Sequence, residues 1–313
     1  MIKVGLISAA TYGYMDAPRT PGSFHGTAFA SAFNGYDPEK SKQYQWTFAA
    51  ASRRMEGVQV TKVWDPHREW AEKLADVCSI PEVTDTPEEC TVDVDAVCIV
   101  DDGSAKQADY AIPAMEKGIP TFIDKPIALT AKRAKEIVDV AKRTGAPLMS
   151  ASSLRFVPDI LNLAAEVPSL GDINLATTIC GNALVYYGIH ALETAYAVLG
   201  PGAVSSYNVG QPGRNVVRVR YANGRDLILM VAERDYMRAG YQINLYGTGG
   251  WRSVMPDLSD LYIYLLDQFL SMIREGRKFV VPLDEIVEVI AVLEAGERSL
   301  AEGREVFIEE VLA

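Results

Sequence analysis

Short apolar runs alternate with amphipathic stretches through the first half of the chain. The runs at residues 3–8, 59–64, 96–100, 120–123 and 147–150 read as strands. Between the later ones lie two helical patterns. Ala105, Ala108, Ala111, Ile112 and Met115 form one apolar stripe, with Ser104 as its expected N-cap and Gly118 as its stop. Ala134, Ile137, Val138 and Ala141 form the other, opened by Thr130 and closed by Gly145. Strand–helix–strand repeats of this kind predict a parallel, doubly wound sheet, and such sheets bind ligands beyond the carboxyl ends of their strands.

The texture changes near residue 150. Val217, Val219 and Tyr221 alternate with Arg218 and Arg220, then come Asn223-Gly224 and the apolar run 227–232, which together predict a hairpin. Residues 173–179 and 242–246 add strands, and residues 261–274 and 283–301 form two closing helices. The expected architecture is therefore α/β. Residues 1–150 form a doubly wound parallel sheet, and residues 151–313 an α+β domain with a mostly antiparallel open sheet. Residues 11–45, rich in Gly, Pro, Tyr and charge, are too long for a plain strand–helix turn. They are expected to hold one helix near residues 25–33 between two inserted loops.

Composition narrows the function classes. The 313 residues carry 30 Lys+Arg against 41 Asp+Glu, a net charge of −11, which argues against nucleic acid and anionic membrane as partners. No apolar run reaches the ~18 residues of a membrane span. The opening residues read as a buried strand rather than a signal peptide. Four scattered cysteines and three histidines form no metal-ligand cluster, so no metal site is expected. Buried thiols suit a reducing, cytoplasmic setting.

Two segments carry candidate chemistry. Asp124-Lys125-Pro126 ends an apolar strand, which puts Lys125 at the sheet's carboxyl edge, where an ammonium can bind a ribose or substrate hydroxyl. A solvated loop lysine is the competing reading. A helix from Ile189 places His190, Glu193 and Thr194 on one face, which Tyr186 shares if the helix starts early, a set able to shuttle a proton near neutral pH. A structural histidine in a domain interface is the bland alternative.

The chain as a whole resembles the Gfo/Idh/MocA family of NAD(P)-dependent sugar and cyclitol oxidoreductases. Asp124-Lys125-Pro126 is similar to that family's Glu-Lys-Pro, and Leu154-Arg155-Phe156 to the Arg-Phe that opens its second domain. Gly188-Ile189-His190-Ala191-Leu192-Glu193 resembles its Gly-x-His-x-x-Asp helix start, and Tyr246-Gly247-Thr248-Gly249-Gly250 its late strand-turn. The resemblance implies an N-terminal Rossmann-like domain for a nicotinamide cofactor, a second domain for a carbohydrate-like small molecule, and a homodimer or homotetramer. It assigns Lys125, His190 and Tyr186 to catalysis. Ser8, Ala10, Gly22, Asp65, Asp102, Lys125 and Pro126 fall to the cofactor, and Arg155, Tyr187 and Glu193 to substrate. NAD or NADP is the expected cofactor, with NAD favoured by Asp65, the acid placed to grip the adenosine ribose.

The sequence also departs from that pattern. Ser8-Ala9-Ala10 stands where the family has a glycine-rich loop; Gly13 or Gly22 stands for the third glycine, with Gly22 favoured. Asp101-Asp102 is acidic where a pyrophosphate would approach, and Tyr186 replaces an Asp. Two alternatives follow: a fold-retaining member that binds a carbohydrate or nucleotide without hydride transfer, and a lyase or hydrolase using a tightly held NAD.

Overall fold

The computed structural model describes residues 1–14 and 17–313. The chain divides into two compact units. The first comprises Met1–Ile127, Glu136–Ser150 and Tyr262–Val280; the second comprises Ala128–Lys135, Ala151–Leu261 and Val281–Ala313. The helix at residues 262–275 thus belongs with the N-terminal sheet, a return of the chain that hydropathy along the sequence does not reveal.

In the first unit, β1 (Ile2–Ile7) is followed by a small hairpin, β2 (Thr11–Tyr12) with β3 (Thr20–Pro21), then α1 (Phe24–Asn34) and α2 (Pro38–Gln43). Next come β4 (Val58–Trp64), α3 (Arg68–Cys78), β5 (Glu82–Val83), β6 (Ala96–Ile99), α4 (Gln107–Glu116), β7 (Thr121–Ile123), α5 (Ala131–Thr144) and β8 (Leu148–Met149). The sheet runs β5-β4-β1-β6-β7-β8 with every pairing parallel. The doubly wound order reverses at β1, where β4 lies to one side and β6 to the other, which is the switch point at which such sheets bind ligands. Strands β1 and β6 are buried because helices cover both faces of a parallel sheet, which is why their sequences read as unbroken apolar runs.

The inserted segment, residues 11–45, contains the hairpin, α1 and α2; Met15 and Asp16 of that segment lie outside the described residues. Helix α1 is buried from Gly26 through Phe33, and the Thr27 and Ser31 hydroxyls within that run bond the carbonyls of Ser23 and Ala28. One expectation fails locally. Helix α4 starts at Gln107, not beside Ser104. Ala105 sits at φ 62°, and the Ser104 hydroxyl bonds Asp101 at 2.5 Å instead of capping the helix. The buried Asp101 carboxylate competes successfully for that donor.

In the second unit, α6 (Pro158–Glu166), β9 (Ile173–Gly181) and α7 (Leu184–Leu199) precede β10 (Ala203–Asn208), β11 (Arg214–Tyr221), β12 (Asp226–Ala232), β13 (Gln242–Gly247) and β14 (Gly250–Val254). The chain then passes through α8 (Leu261–Glu275), α9 (Leu283–Glu302), β15 (Val306–Phe307) and α10 (Ile308–Leu312). The sheet order is β14-β13-β9-β12-β11-β10-β15; β9 and β12 run parallel and the other pairs antiparallel. Helices α7 and α9 cover one face. The β11–β12 connection is a three-residue loop, Ala222-Asn223-Gly224, closed by Tyr221 N–H to the Arg225 carbonyl at 2.9 Å. Only Gly224 takes positive φ, so the turn is the bulged hairpin type rather than a two-residue Asn-Gly turn.

Candidate active site

The loop after β1 is organised by two charged side chains. Asp65, 2% exposed at the end of β4, accepts the N–H groups of Ala10 (2.8 Å), Thr11 (3.0 Å) and His67 (2.9 Å) and the Thr11 hydroxyl (2.8 Å). Its two oxygens thereby hold four donors, all that a carboxylate accommodates. The carboxylate expected on a ribose fastens Ala10 and Thr11 to the sheet edge, and α3 starts after His67, which provides no side-chain cap.

The second charged group is Arg19 on β2–β3. Its guanidinium donates to the Thr11 hydroxyl (2.7 Å), the Thr11 carbonyl (2.7 Å), the Ser8 hydroxyl (3.2 Å) and Asp101 (3.4 Å). Asp101 is fully buried and also accepts from Ser8 (3.1 Å), Ser104 (2.5 Å) and the Lys106 N–H (2.7 Å). The repulsion expected from Asp101 is therefore answered from within the chain. Asp102, half-buried, accepts from the Ser23 hydroxyl (3.3 Å), and its carbonyl takes the Gly13 N–H (3.0 Å).

Helix α1 begins hard against this loop. Ser23 caps it by accepting the Gly26 N–H at 3.0 Å. A Cβ on Gly26 would lie 2.0 Å from the Ala9 carbonyl oxygen, so glycine is required for the helix to meet the strand. This close helix–strand contact is the part expected of Gly22, and Gly26 plays it. Gly22, at φ +85°, meets the backbone of Thr47 instead: its Cβ would be 2.2 Å from that carbonyl oxygen.

At the end of β7, Asp124 is 2% exposed and its Oδ2 lies 2.5 Å from Nδ1 of His25 on α1. Phe29 and Tyr262 flank that imidazole at 6.1 and 5.2 Å. Lys125 is half-buried and Pro126 buried, joined by a cis peptide bond. The buried Gln107 amide donates to the Pro126 carbonyl at 3.2 Å, while its Oε1 has no donor. His25 and Gln107 thus brace the Asp124-Lys125-Pro126 turn from two sides. Gln107 escaped the sequence reading, since a lone Gln has no pattern.

In the second unit, α7 starts at Leu184, so Tyr186 and Tyr187 lie in its first turn, one turn before His190. His190 is 6% exposed, and its Nδ1 lies 2.7 Å from the Ser152 hydroxyl. The rings of Tyr187 and Tyr241 meet it edge-on, with centroids 5.9 and 5.4 Å away. Burial drives the Tyr241 phenol well above its ordinary pKa, so it stays a neutral donor. Arg155 and Glu193, expected at substrate, are buried and paired with each other at 3.5 Å. Glu193 also accepts the Ser152 N–H at 2.9 Å, and Arg155 is clasped by Glu285 as well. Burial outweighs that arginine's pull and raises the Glu285 carboxyl above its ordinary range.

A parallel sheet with a helix packed through glycine at its switch point, and a lysine at its carboxyl edge, is the arrangement that nucleotide-binding doubly wound sheets present. Residues 35–152 match the family model GFO_IDH_MocA, described as an oxidoreductase family with an NAD-binding Rossmann fold. Over those residues the chain is similar to that family. The match starts after residues 1–34, where the phosphate loop departs from pattern. The chain is 27% identical over 176 residues to a D-glucoside 3-dehydrogenase of Escherichia coli (strain K12), covering 48% of this chain and 49% of the relative. The alignment thus spans about half the length of that relative. Scyllo-inositol dehydrogenase from Lactobacillus casei superposes with TM-score 0.80 at 13% identity, covering 98% of each chain. An oxidoreductase from Agrobacterium radiobacter, solved with NAD+, L-tartaric acid and magnesium, gives 0.76 at 15% identity and 99% of each. At such identities the likeness is one of fold.

The residues present fit a dinucleotide in an altered cradle. The Ala10 and Thr11 N–H groups are spent on Asp65. With Arg19 spent on Thr11, Ser8 and Asp101, the capped start of α1 is what remains to meet a pyrophosphate. The orphaned Gln107 Oε1 supplies an acceptor for a bound N–H or O–H.

Proposed function

We propose that this protein is an NAD(P)-dependent oxidoreductase that moves a hydride between the nicotinamide ring and a carbinol carbon of a sugar, cyclitol or related polyol. The observation that carries the reading is the Asp124-Lys125-Pro126 turn, held at the carboxyl edge of the parallel sheet by His25 and Gln107. The cofactor supplies the redox chemistry, and the protein supplies placement and charge. Lys125 orients ribose and substrate hydroxyls, and its charge favours an alkoxide as it forms. Ser8, Ala10, Gly22, Asp102 and Pro126 shape the cofactor's bed. Asp65 acts there through its charge, which disfavours a 2′-phosphate and so favours NAD over NADP.

His190 is the acid/base. Ser152 fixes its Nδ1, and Glu193 and Arg155 fix Ser152, so these two are positioning residues. Tyr186 and Tyr187 assist as phenol donors, because a phenol with a pKa near ~10 is a poor base at neutral pH. The face of the second sheet away from α7 and α9 carries Leu175, Val216 and Tyr246, each more than a third exposed, and supports a homodimer or homotetramer. No helix among the described residues is long and apolar enough to cross a membrane. The four cysteines are buried thiols, which suits the cytoplasm.

Fluorescence titration with NADH and NADPH tests the reading. Saturable binding, followed by turnover of a polyol that Lys125→Ala abolishes and His190→Ala strips of its pH dependence, is expected. Failure of either nucleotide to bind at millimolar concentration overturns it. That outcome would favour a fold-retaining carbohydrate binder, to which the internally satisfied Asp65 and Arg19 point.

A further inference from the structure

The second unit contains a cavity of ≈ 780 Å³ whose wall includes Asn182, Tyr187, Arg234, Asp235, Arg238 and Tyr241. That volume falls within the range of ~300–1,000 Å³ typical of small-molecule sites. Tyr187 and Tyr241 are the two rings that touch His190, so a molecule in this cavity would lie against the imidazole's aromatic neighbours. Two guanidiniums meet one carboxylate on the wall, although the chain as a whole carries −11. Among the described residues, neither Arg234 nor Arg238 forms an ion pair, and Asp235 between them is bonded to neither. Elsewhere in this chain arginines are commonly matched by acids, as Arg218 is by Asp226 and Arg252 by Glu166.

The segment that carries the two arginines is anchored to its own unit. Glu233 N–H bonds the Gly213 carbonyl at 2.9 Å, Met237 N–H bonds the Glu233 carbonyl at 3.0 Å, and the Arg214 guanidinium lies 4.9 Å from the Tyr236 ring centre. These bonds hold the backbone of the turn, from which the two exposed arginine side chains reach the cavity wall.

We propose that the substrate carries an anionic group, a carboxylate or a phosphate, which Arg234 and Arg238 receive in this cavity. The inference rests on the polyol reading above and narrows it to acidic sugars or cyclitols. A planar guanidinium presents two parallel N–H donors to a carboxylate or phosphate, a match that a neutral hydroxyl does not make. Arg155, the cation expected at substrate, is unavailable for this because Glu193 and Glu285 already hold it.

The test is calorimetric titration of the full-length protein with matched probes: D-glucose, D-glucuronate and D-glucose 6-phosphate. Binding of at least one acid about tenfold or more tighter than glucose is expected, since a hydrogen bond to a charged group adds ~1.5–3 kcal/mol. Which acid wins identifies the anion. The Arg234→Gln/Arg238→Gln variant, checked for an unchanged melting temperature, should lose that preference. Equal affinities for all three probes, or a preference that survives in the variant, overturns the proposal. Dinucleotide binding is scored separately. An acid preference without NAD(P)H binding would sink the oxidoreductase reading alone, and the reverse pattern would sink this inference alone.

Discussion

Replacing Gly26 by alanine sets two effects against each other. Helix propensity favours alanine by at most ~1 kcal/mol. Packing opposes it, because the new methyl would sit 2.0 Å from the Ala9 carbonyl oxygen and 2.7 Å from its carbonyl and Cα carbons. A carbon–oxygen contact ordinarily needs about 3.3 Å, so α1 must retreat from the strand by about 1.3 Å. The obstacle is backbone, and both Ala9 and Phe29 of the helix are fully buried, so neither side yields easily. Overpacking of this kind costs ~1–3 kcal/mol. With the largest part of that range opposing the propensity gain, the variant should lose about 2 kcal/mol. That corresponds to a melting temperature lower by about 4–8 °C. The same retreat withdraws the start of α1 from the sheet edge, so NADH affinity should fall about tenfold, in keeping with the cost of angstrom-scale misplacement. Thermal unfolding and NADH fluorescence titration read the two effects. A melting temperature at or above that of the parent protein would refute the argument.

Three further outcomes are expected. Arg19→Ala should destabilise the first unit by ~2–3 kcal/mol, less than the ~3–5 for breaking a buried pair because Asp101 keeps its Ser8, Ser104 and Lys106 donors. In a double-mutant cycle with Asp101→Asn by urea denaturation, additive effects would rule out that pairing. Burial pushes the Cys78 and Cys90 thiols up to about 12 and Cys98 higher still, so a thiol reagent at pH 8 should label all four cysteines only after denaturation. The Glu285 carboxyl is raised above its unfolded range, so the native state binds a proton that the unfolded state has released. The stability this contributes is present below the unfolded pKa and lost as pH rises through the folded one. The parent should therefore lose stability relative to Glu285→Gln as pH climbs from 4 to 7, and a flat or rising difference would contradict the assignment.

The apolar runs determined β1, β4, β6, β7 and β8 to within a residue or two; β6, β7 and β8 are buried along their whole length, which keeps their runs sharply bounded. Gly118 and Gly145, both at positive φ, marked their helix ends for a local reason that any sequence reading can use. The place of Lys125 just past β7 was legible because it follows an element whose period is plain, whereas His190 lies six residues inside α7, which starts at Leu184. What the sequence could not decide was which polar groups would be consumed internally. Asp65, Asp101, Arg155 and Glu193 look like ligand residues in one dimension, and each is claimed by partners 38 to 130 positions away or by a neighbouring loop. A buried charge needs a partner wherever the chain can supply one, and only tertiary structure chooses which. The same holds for Gly26 against Gly22, because the need for a missing side chain arises from the strand that the helix happens to meet.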